Sequence, residues 1–360
     1  MDRFRVALIG TSFGKSVQAV AFRGHPGFEL AGIAGSDGAK AAAIAAELGI
    51  PRGYGDWRAM LDEVRPDLVS VATPVDLHHP MVLAALERGA HVLCEKPTAL
   101  HRFQAVEMHD TAIARGRIAA INHEFRFFPA RRHAVELVRQ GAIGTPRRGE
   151  ILGRYALWAR PESRGMTWLS DRARGGGILG ALGSHHTDSL RQFFGEPRTV
   201  LASVRVDQPW RGTGSDACRA TADDACTLLY TFDGGATGLI DLSATAPYRW
   251  ERFEIHGSEG TLRWDETGYR LWRIDAGREP EELVIPESLA LERHEGEPAL
   301  VAPFRVLLGR LHCAMAGDAP MEPDFRTAVA VQSALDAARE SHEAQTRVTI
   351  EIPALAALPA

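Results

Sequence analysis

Lysine is almost missing from this chain of 360 residues. It occurs only at Lys15, Lys40 and Lys96, and arginine supplies the rest of the 41 basic residues. Arginine keeps its proton at any usable pH, whereas a lysine amine can be tuned to release it. Proton chemistry on a basic side chain therefore has few places to sit. Long apolar runs are missing too, since none reaches the roughly 18 residues of a membrane-spanning helix. The start, Met1-Asp2-Arg3-Phe4-Arg5, enters a short apolar run directly, without the h-region and cleavage site of a leader. The expected compartment is the cytoplasm, with no membrane partner. The four cysteines, Cys94, Cys218, Cys226 and Cys313, fit no zinc spacing, and a reducing compartment argues against disulfides. All four read as small buried hydrophobes. A formal charge of −5 with both signs interspersed excludes a basic nucleic-acid-binding face. Repeats, low-complexity segments and Pro/Ser-rich linkers are lacking.

What is present is a globular composition, 45% hydrophobic and 24% charged, in a chain too long for one core. Two domains are expected, 1–121 and 122–360. In the first, short apolar strands (5–9, 28–34, 67–72, 91–94, 118–121) alternate with helices (a stretch to about 23, then 39–48, 56–64, 77–88, 101–114). Near-continuous apolar strands between helices indicate a doubly wound parallel sheet covered on both faces. After Asn122 the pattern changes. A helix is expected over 129–140, a long strand over 147–158, and a Gly-rich turn leading into a helix over 175–194. Strands dominate 200–272, helices follow near 299–315 and 325–342, and 348–352 is a last strand. Alternation such as Phe253-Glu254-Ile255-His256 suits an antiparallel sheet with one face less buried. The fold class is therefore an N-terminal α/β Rossmann-type domain followed by an α+β domain with a large open, mostly antiparallel sheet.

The first strand ends in Gly10-Thr11-Ser12-Phe13-Gly14-Lys15, a small-residue turn opening a helix. Backbone N–H groups at such a turn attract a pyrophosphate. The G-x-G-x-x-G pattern is imperfect, with Ser12 at its second glycine and Lys15 at its third. An acidic residue at the end of the second strand holds the ribose of NAD. Here Gly35 fills that register, Ser36 follows, and Lys40 lies one turn on. A hydroxyl and an ammonium suit a 2′-phosphate, so the reading leans to NADP. Asp37 leaves NAD open.

Three further runs carry chemistry. Ala72-Thr73-Pro74-Val75-Asp76-Leu77-His78 and His91-Val92-Leu93-Cys94-Glu95-Lys96-Pro97 lie at the carboxyl ends of parallel strands, where open α/β sheets bind ligands. Gly175-Gly176-Gly177 leads on to His185, His186 and Asp188. His78 and His79 are adjacent and diverge on a helix, so no metal site is expected. With Asn122-His123-Glu124-Phe125-Arg126, these motifs in this order resemble the Gfo/Idh/MocA family over nearly the whole length. The resemblance implies that Lys96 is the active-site lysine, followed by a cis bond to Pro97, and His185 the active-site histidine. It implies that Thr73, Pro74, His78, Glu95 and Asn122 surround the dinucleotide with Gly10, Ser12, Phe13, Gly14, Ser36, Lys40 and Lys96. Arg126, Trp168, Asp188 and His185 would meet the substrate, with Trp158, Arg160 and Arg174 on the same loops. Members with the inositol dehydrogenase pattern carry an aspartate four residues before the histidine, where this chain has Ala181.

The expected activity is hydride transfer between nicotinamide and a carbinol or carbonyl carbon of a sugar, cyclitol or related polyol, in a homodimer or homotetramer. The cofactor does the redox chemistry, while the protein orients it and handles the proton. Two other readings stand beside it: an NAD-dependent glycosidase or epimerase working by transient oxidation, and a catalytically silent dinucleotide-binding regulator.

Overall fold

The computed structural model describes residues 3–357, so Met1, Asp2 and residues 358–360, expected at the outer ends of the two domains, lie outside it. The chain divides into two compact units. One comprises Met1–Glu124, Glu292–Val329 and Pro353–Ala360, and the other Phe125–Leu291 and Ala330–Ile352.

In the first unit the strands are β1 (Phe4–Ile9), β2 (Phe28–Ala34), β3 (Gly53–Tyr54), β4 (Leu68–Val71), β5 (His91–Cys94) and β6 (Ala119–Ile121). They form one sheet in the order β3-β2-β1-β4-β5-β6, with every pairing parallel. Val6 to Ile9 and Leu68 to Val71 are buried on both faces, which is why their apolar runs do not alternate. The helices are α1 (Ala19–Arg23), α2 (Gly38–Leu48), α3 (Trp57–Val64), α4 (His78–Glu87) and α5 (Arg102–Ala114). Asp37 and Asp56 cap α2 and α3 by accepting the N–H groups of Lys40 and Arg58, and Gly49 ends α2 at φ 65°.

The second unit holds α6 (Pro129–Arg139), β7 (Pro146–Arg154), α7 (Ser184–Phe194) and β8 (Pro197–Arg205). Among the described residues the short strands β9 (Trp210–Arg211) and β10 (Cys218–Arg219) pair only with each other. The run continues with β11 (Ala225–Phe232), β12 (Thr237–Ser243), β13 (Trp250–Gly257), β14 (Thr261–Trp264), β15 (Leu271–Ile274) and β16 (Glu281–Leu283). Helix α8 (Val301–Met315) returns to the first unit, α9 (Phe325–Ala344) passes from the first into the second, and β17 (Val348–Thr349) follows. Among the described residues the large sheet runs β16-β15-β14-β13-β7-β12-β11-β8-β17, antiparallel except for β12 against β7. Ile151, Ile240, Leu242, Phe253 and Ile255 are buried in one core, while alternate residues of β12 stay half-exposed.

Several expectations need correcting. The chain does not divide at a single cut after residue 121, because α8 belongs to the first unit. Phe304 meets Phe22 at 6.1 Å and His312 stands edge-on to Phe28 at 5.6 Å. The strand expected over 147–158 stops at Arg154, where Tyr155 folds back; a Cβ on Gly153 would lie 2.7 Å from its hydroxyl. Cys94 and Cys226 are buried, but Cys218 and Cys313 are exposed. No helix among the described residues is long and apolar enough to cross a membrane.

Candidate active site

In the first unit the neighbours β1 and β4 form the switch point of the parallel sheet, the crevice where such folds hold a dinucleotide. Gly10 ends β1 at φ 133°, and a Cβ there would lie 2.2 Å from the carbonyl oxygen of Ala72 at the end of β4. Only glycine lets the two strand ends approach so closely. Ser12 is exposed and Phe13 half-exposed, while Gly14 is buried and opens a wide π-type turn, Gly14–Gln18, that continues into α1. This cradle suits a pyrophosphate. Lys15 turns away from it, its ammonium 2.7 Å from Glu47.

At the end of β2, Gly35 packs on Thr11, and a Cβ would lie 2.6 Å from the Thr11 methyl. Ser36, Asp37 and Lys40 are exposed. The Asp37 carboxylate already accepts the Lys40 N–H at 3.0 Å.

His78, expected around the dinucleotide, lies in the interior of the first unit. It is wholly buried, with Nδ1 3.1 Å from the Pro97 carbonyl and 3.2 Å from that of Thr98, and Nε2 2.9 Å from that of Thr73. The ring clamps the Thr73-Pro74 turn to the loop after Lys96, whose bond to Pro97 is cis as the resemblance implied. Burial holds the imidazole below its ordinary pKa against the three carbonyls. Thr73 stays half-exposed, with its hydroxyl 3.6 Å from the Met81 sulfur.

Glu95 and Asn122, expected around the dinucleotide, are joined to each other in the interior of the first unit. Asn122 is fully buried, and its Nδ2 donates to Glu95 Oε1 at 2.6 Å. Gln18 Nε2 donates to the same oxygen at 2.7 Å, and the Ser70 hydroxyl donates to Gln18 Oε1 at 2.8 Å. Burial pushes the Glu95 carboxyl above the usual carboxylate range, opposed by the Lys96 ammonium and then by the Asn122 and Gln18 donors. Lys96 itself is half-buried, at the carboxyl end of β5.

In the second unit His185 lies on α7, nearly buried, its ring stacked on Phe125 at 3.8 Å and 10°. The guanidinium of Arg131 lies 5.0 Å from the same Phe125 ring. Arg131 also donates to Ser189 at 3.1 Å, and Ser189 donates to the His185 carbonyl at 2.9 Å. His186 is wholly buried against Phe253 and is a packing residue.

Arg126 and Asp188, expected among the substrate contacts, are bound to each other. Arg126 Nε and Nη2 reach the two Asp188 oxygens at 2.6 Å each, and Arg191 adds a contact at 3.2 Å. With Asp188 only 1% exposed, this bidentate fork is a brace inside the unit. Trp158 is likewise internal, under the Arg211 guanidinium at 4.6 Å. Trp168 stays half-buried, as does Arg174, and Arg160 is exposed. Ala181 is half-buried in the turn Leu179–Gly183, one turn ahead of His185.

The residues that sequence reasoning missed are Gln18, Ser70 and Asp223. Asp223 accepts the Leu179 N–H at 2.7 Å and sits where a Cβ on Gly177 would be, 2.2 Å from its oxygen, while a Cβ on Gly176 would lie 2.4 Å from the Trp168 carbonyl oxygen. A lone serine in the buried run Leu68-Val69-Ser70-Val71 was a visible signal. Glu150, Glu254 and His256 also come together with metal-ligating atoms, but Glu254 is already held by Arg252 and by Arg263 at 2.5 Å.

Residues 4–123 match the model of the oxidoreductase family with the NAD-binding Rossmann fold, and residues 131–263 match the GFO/IDH/MocA C-terminal domain. The chain is 31% identical over 277 residues to D-apiose dehydrogenase of Paraburkholderia graminis, covering 75% of this chain and 70% of that one. It is 28% identical over 288 residues to levoglucosan dehydrogenase of Pseudarthrobacter phenanthrenivorans, covering 73% of each. The crystal structure of an oxidoreductase domain protein from Kribbella flavida superposes with a TM-score of 0.88 at 28% identity, covering 98% of this chain and all of that one.

Proposed function

Because the chain belongs to the Gfo/Idh/MocA family and is an NAD(P)-dependent oxidoreductase, we propose that it oxidises or reduces a sugar, cyclitol or related polyol, with Lys96 and His185 handling the proton. One observation carries the role of Lys96. Of the three lysines, Lys15 is tied to Glu47 and Lys40 is exposed beyond β2, whereas Lys96 is half-buried at a strand's carboxyl end beside a locked carboxylate. The substrate class is supported by the names of the relatives, which act on D-apiose and levoglucosan.

A dinucleotide held at the Gly10 cradle would supply the hydride chemistry. Lys96 takes the hydroxyl proton in the oxidising direction and returns it in the reducing one. His185, with no aspartate at Ala181 to extend a relay, holds or shares that proton, and its ring is stacked on Phe125. The test is turnover with a panel of aldoses, anhydrosugars and cyclitols, read by nicotinamide absorbance. Turnover of at least one supports the reading; dinucleotide binding with no turnover across the panel points to the regulator instead.

For the cofactor we infer NADP. Gly35 offers no carboxylate, Asp37 is engaged as a helix cap, and Ser36 and Lys40 remain exposed for a 2′-phosphate. NADPH is expected to bind about tenfold more tightly than NADH, roughly what one exposed charge-assisted contact supplies. Lys40→Ala should raise the NADPH Kd by about that factor and leave NADH almost unchanged. A wild-type NADH Kd equal to or below that for NADPH overturns the assignment.

A further inference from the structure

We propose that the second unit holds a binding site for a small oxyanion, a phosphate or carboxylate group, in a cavity walled by Arg205, Arg339 and His342. None of the cavity's residues belongs to the Gly10 cradle or to the expected substrate contacts, and the inference does not rest on the proposed activity.

The cavity measures about 430 Å³, a volume that small-molecule sites commonly have. It is enclosed by the end of β8, the turn Arg172–Arg174, the residues just before β11 and the C-terminal turns of α9. All of these segments lie inside the second unit. Val204 and Val206 give it an apolar part, and every other lining side chain is polar or charged.

The hydrogen bonding at the wall is one-sided. Each side-chain acceptor already holds a donor. Glu343 accepts the Arg172 guanidinium at 2.6 Å, Thr221 accepts the Arg172 N–H at 2.9 Å, and Asp223 accepts the Leu179 N–H at 2.7 Å. Burial also pushes the Asp223 carboxyl above the usual carboxylate range, opposed by that N–H and then by Arg339. The donors are in the opposite state. Arg205 gives Nε to Asp207 at 3.2 Å and Nη1 to Ser203 at 3.1 Å, and its Nη2 has no partner among the described residues. Arg339 meets Asp336 from Nη1 alone, at 3.5 Å, the outer limit of a hydrogen bond. His342 Nδ1 is shielded from solvent and has no partner either.

Spent acceptors beside unspent donors select a ligand rich in lone pairs. A carboxylate or a phosphate is such a ligand, with two oxygens spaced to match a guanidinium fork. A cation fits badly, because it would face Arg205 and Arg339 and would have to draw Glu343 away from Arg172. The carboxylates of Asp207 and Asp336 weaken the pull of the two arginines, which keeps the affinity modest. Asp223 extends the reach of the site. Its carbonyl accepts the Ile178 N–H at 2.9 Å and its carboxylate the Leu179 N–H, so the cavity wall also anchors the turn that runs into α7 and His185.

The test titrates inorganic phosphate, and separately malonate, into the full-length protein by calorimetry at constant ionic strength. Dinucleotide is kept saturating, so that the Gly10 cradle is filled and does not take the anion. Saturable binding with a Kd of about 1 mM is expected, the affinity that two or three charge-assisted hydrogen bonds supply in water. Arg339→Met keeps the stem of the side chain and should raise that Kd about tenfold; Arg205→Gln should raise it about fivefold. Arg205 is exposed, so its substitution keeps the test intact if Arg339→Met fails to fold. The dinucleotide Kd is the control for folding, and neither substitution should move it. Binding of phosphate alone identifies a phosphate site, binding of malonate alone a carboxylate site, and binding of both the shared chemistry. Each supports the inference when either substitution weakens it. No saturable binding of either anion, or binding that both variants keep at wild-type strength, overturns it. Either result leaves the proposed sugar or polyol chemistry untouched, because no turnover is read.

Discussion

Lys96→Met should bind dinucleotide with wild-type affinity and lose about three orders of magnitude in turnover, the range that a positioned acid or base supplies. Methionine approximates the lysine stem in length and keeps its apolar contacts while removing the ammonium. The residue lies just beyond the end of β5 at Cys94, whereas the tight approach at Gly10 is to Ala72 at the end of β4. Cofactor titration should therefore be unaffected, and the loss should appear equally in kcat and kcat/KM. A turnover within tenfold of wild type would show that solvent or His185 alone moves the proton.

Asp188→Ala should cost about 3–5 kcal/mol of stability, because removing one partner of a buried pair strands the other charge. Asp188 accepts both arms of Arg126 and is touched by Arg191. It lies on α7 three residues after His185, so the loss should loosen the helix that carries that ring. The expected signature is a lower Tm together with reduced kcat, with dinucleotide affinity unchanged. If Asp188 were a substrate ligand, the variant would instead raise KM at constant Tm. Thermal melts and steady-state kinetics on the same preparation separate the two.

Much of the first unit was legible because its strands are buried on both faces and leave unbroken apolar runs. The alternation of strands and helices and the parallel sheet follow from that pattern. The place of α8 was not legible, because an apolar helix face does not say which sheet it will cover; only Phe304 on Phe22 and His312 on Phe28 settle it. The candidate site shows the same division. Glu95, Lys96, Thr73 and His185 stood out as motif residues, but their directions did not. His78 and Asn122 turned inward to carbonyls and to Glu95. Arg126 and Asp188 found each other across 62 positions of sequence, a distance over which no local pattern speaks. Of the glycines before α7, Gly177 is required by Asp223, which lies far from it in sequence.

Hydride transfer from a carbinol carbon is the central claim, and following the hydrogen tests it most directly. For a substrate found in the panel, the form deuterated at the reacting carbinol carbon should yield reduced nicotinamide carrying one deuterium per turnover, with oxidised sugar or polyol in equal amount. Deuterium washed into solvent, or product formed in many turnovers without net reduced cofactor, would contradict it. The latter outcome would place the protein with enzymes that oxidise their substrate only transiently.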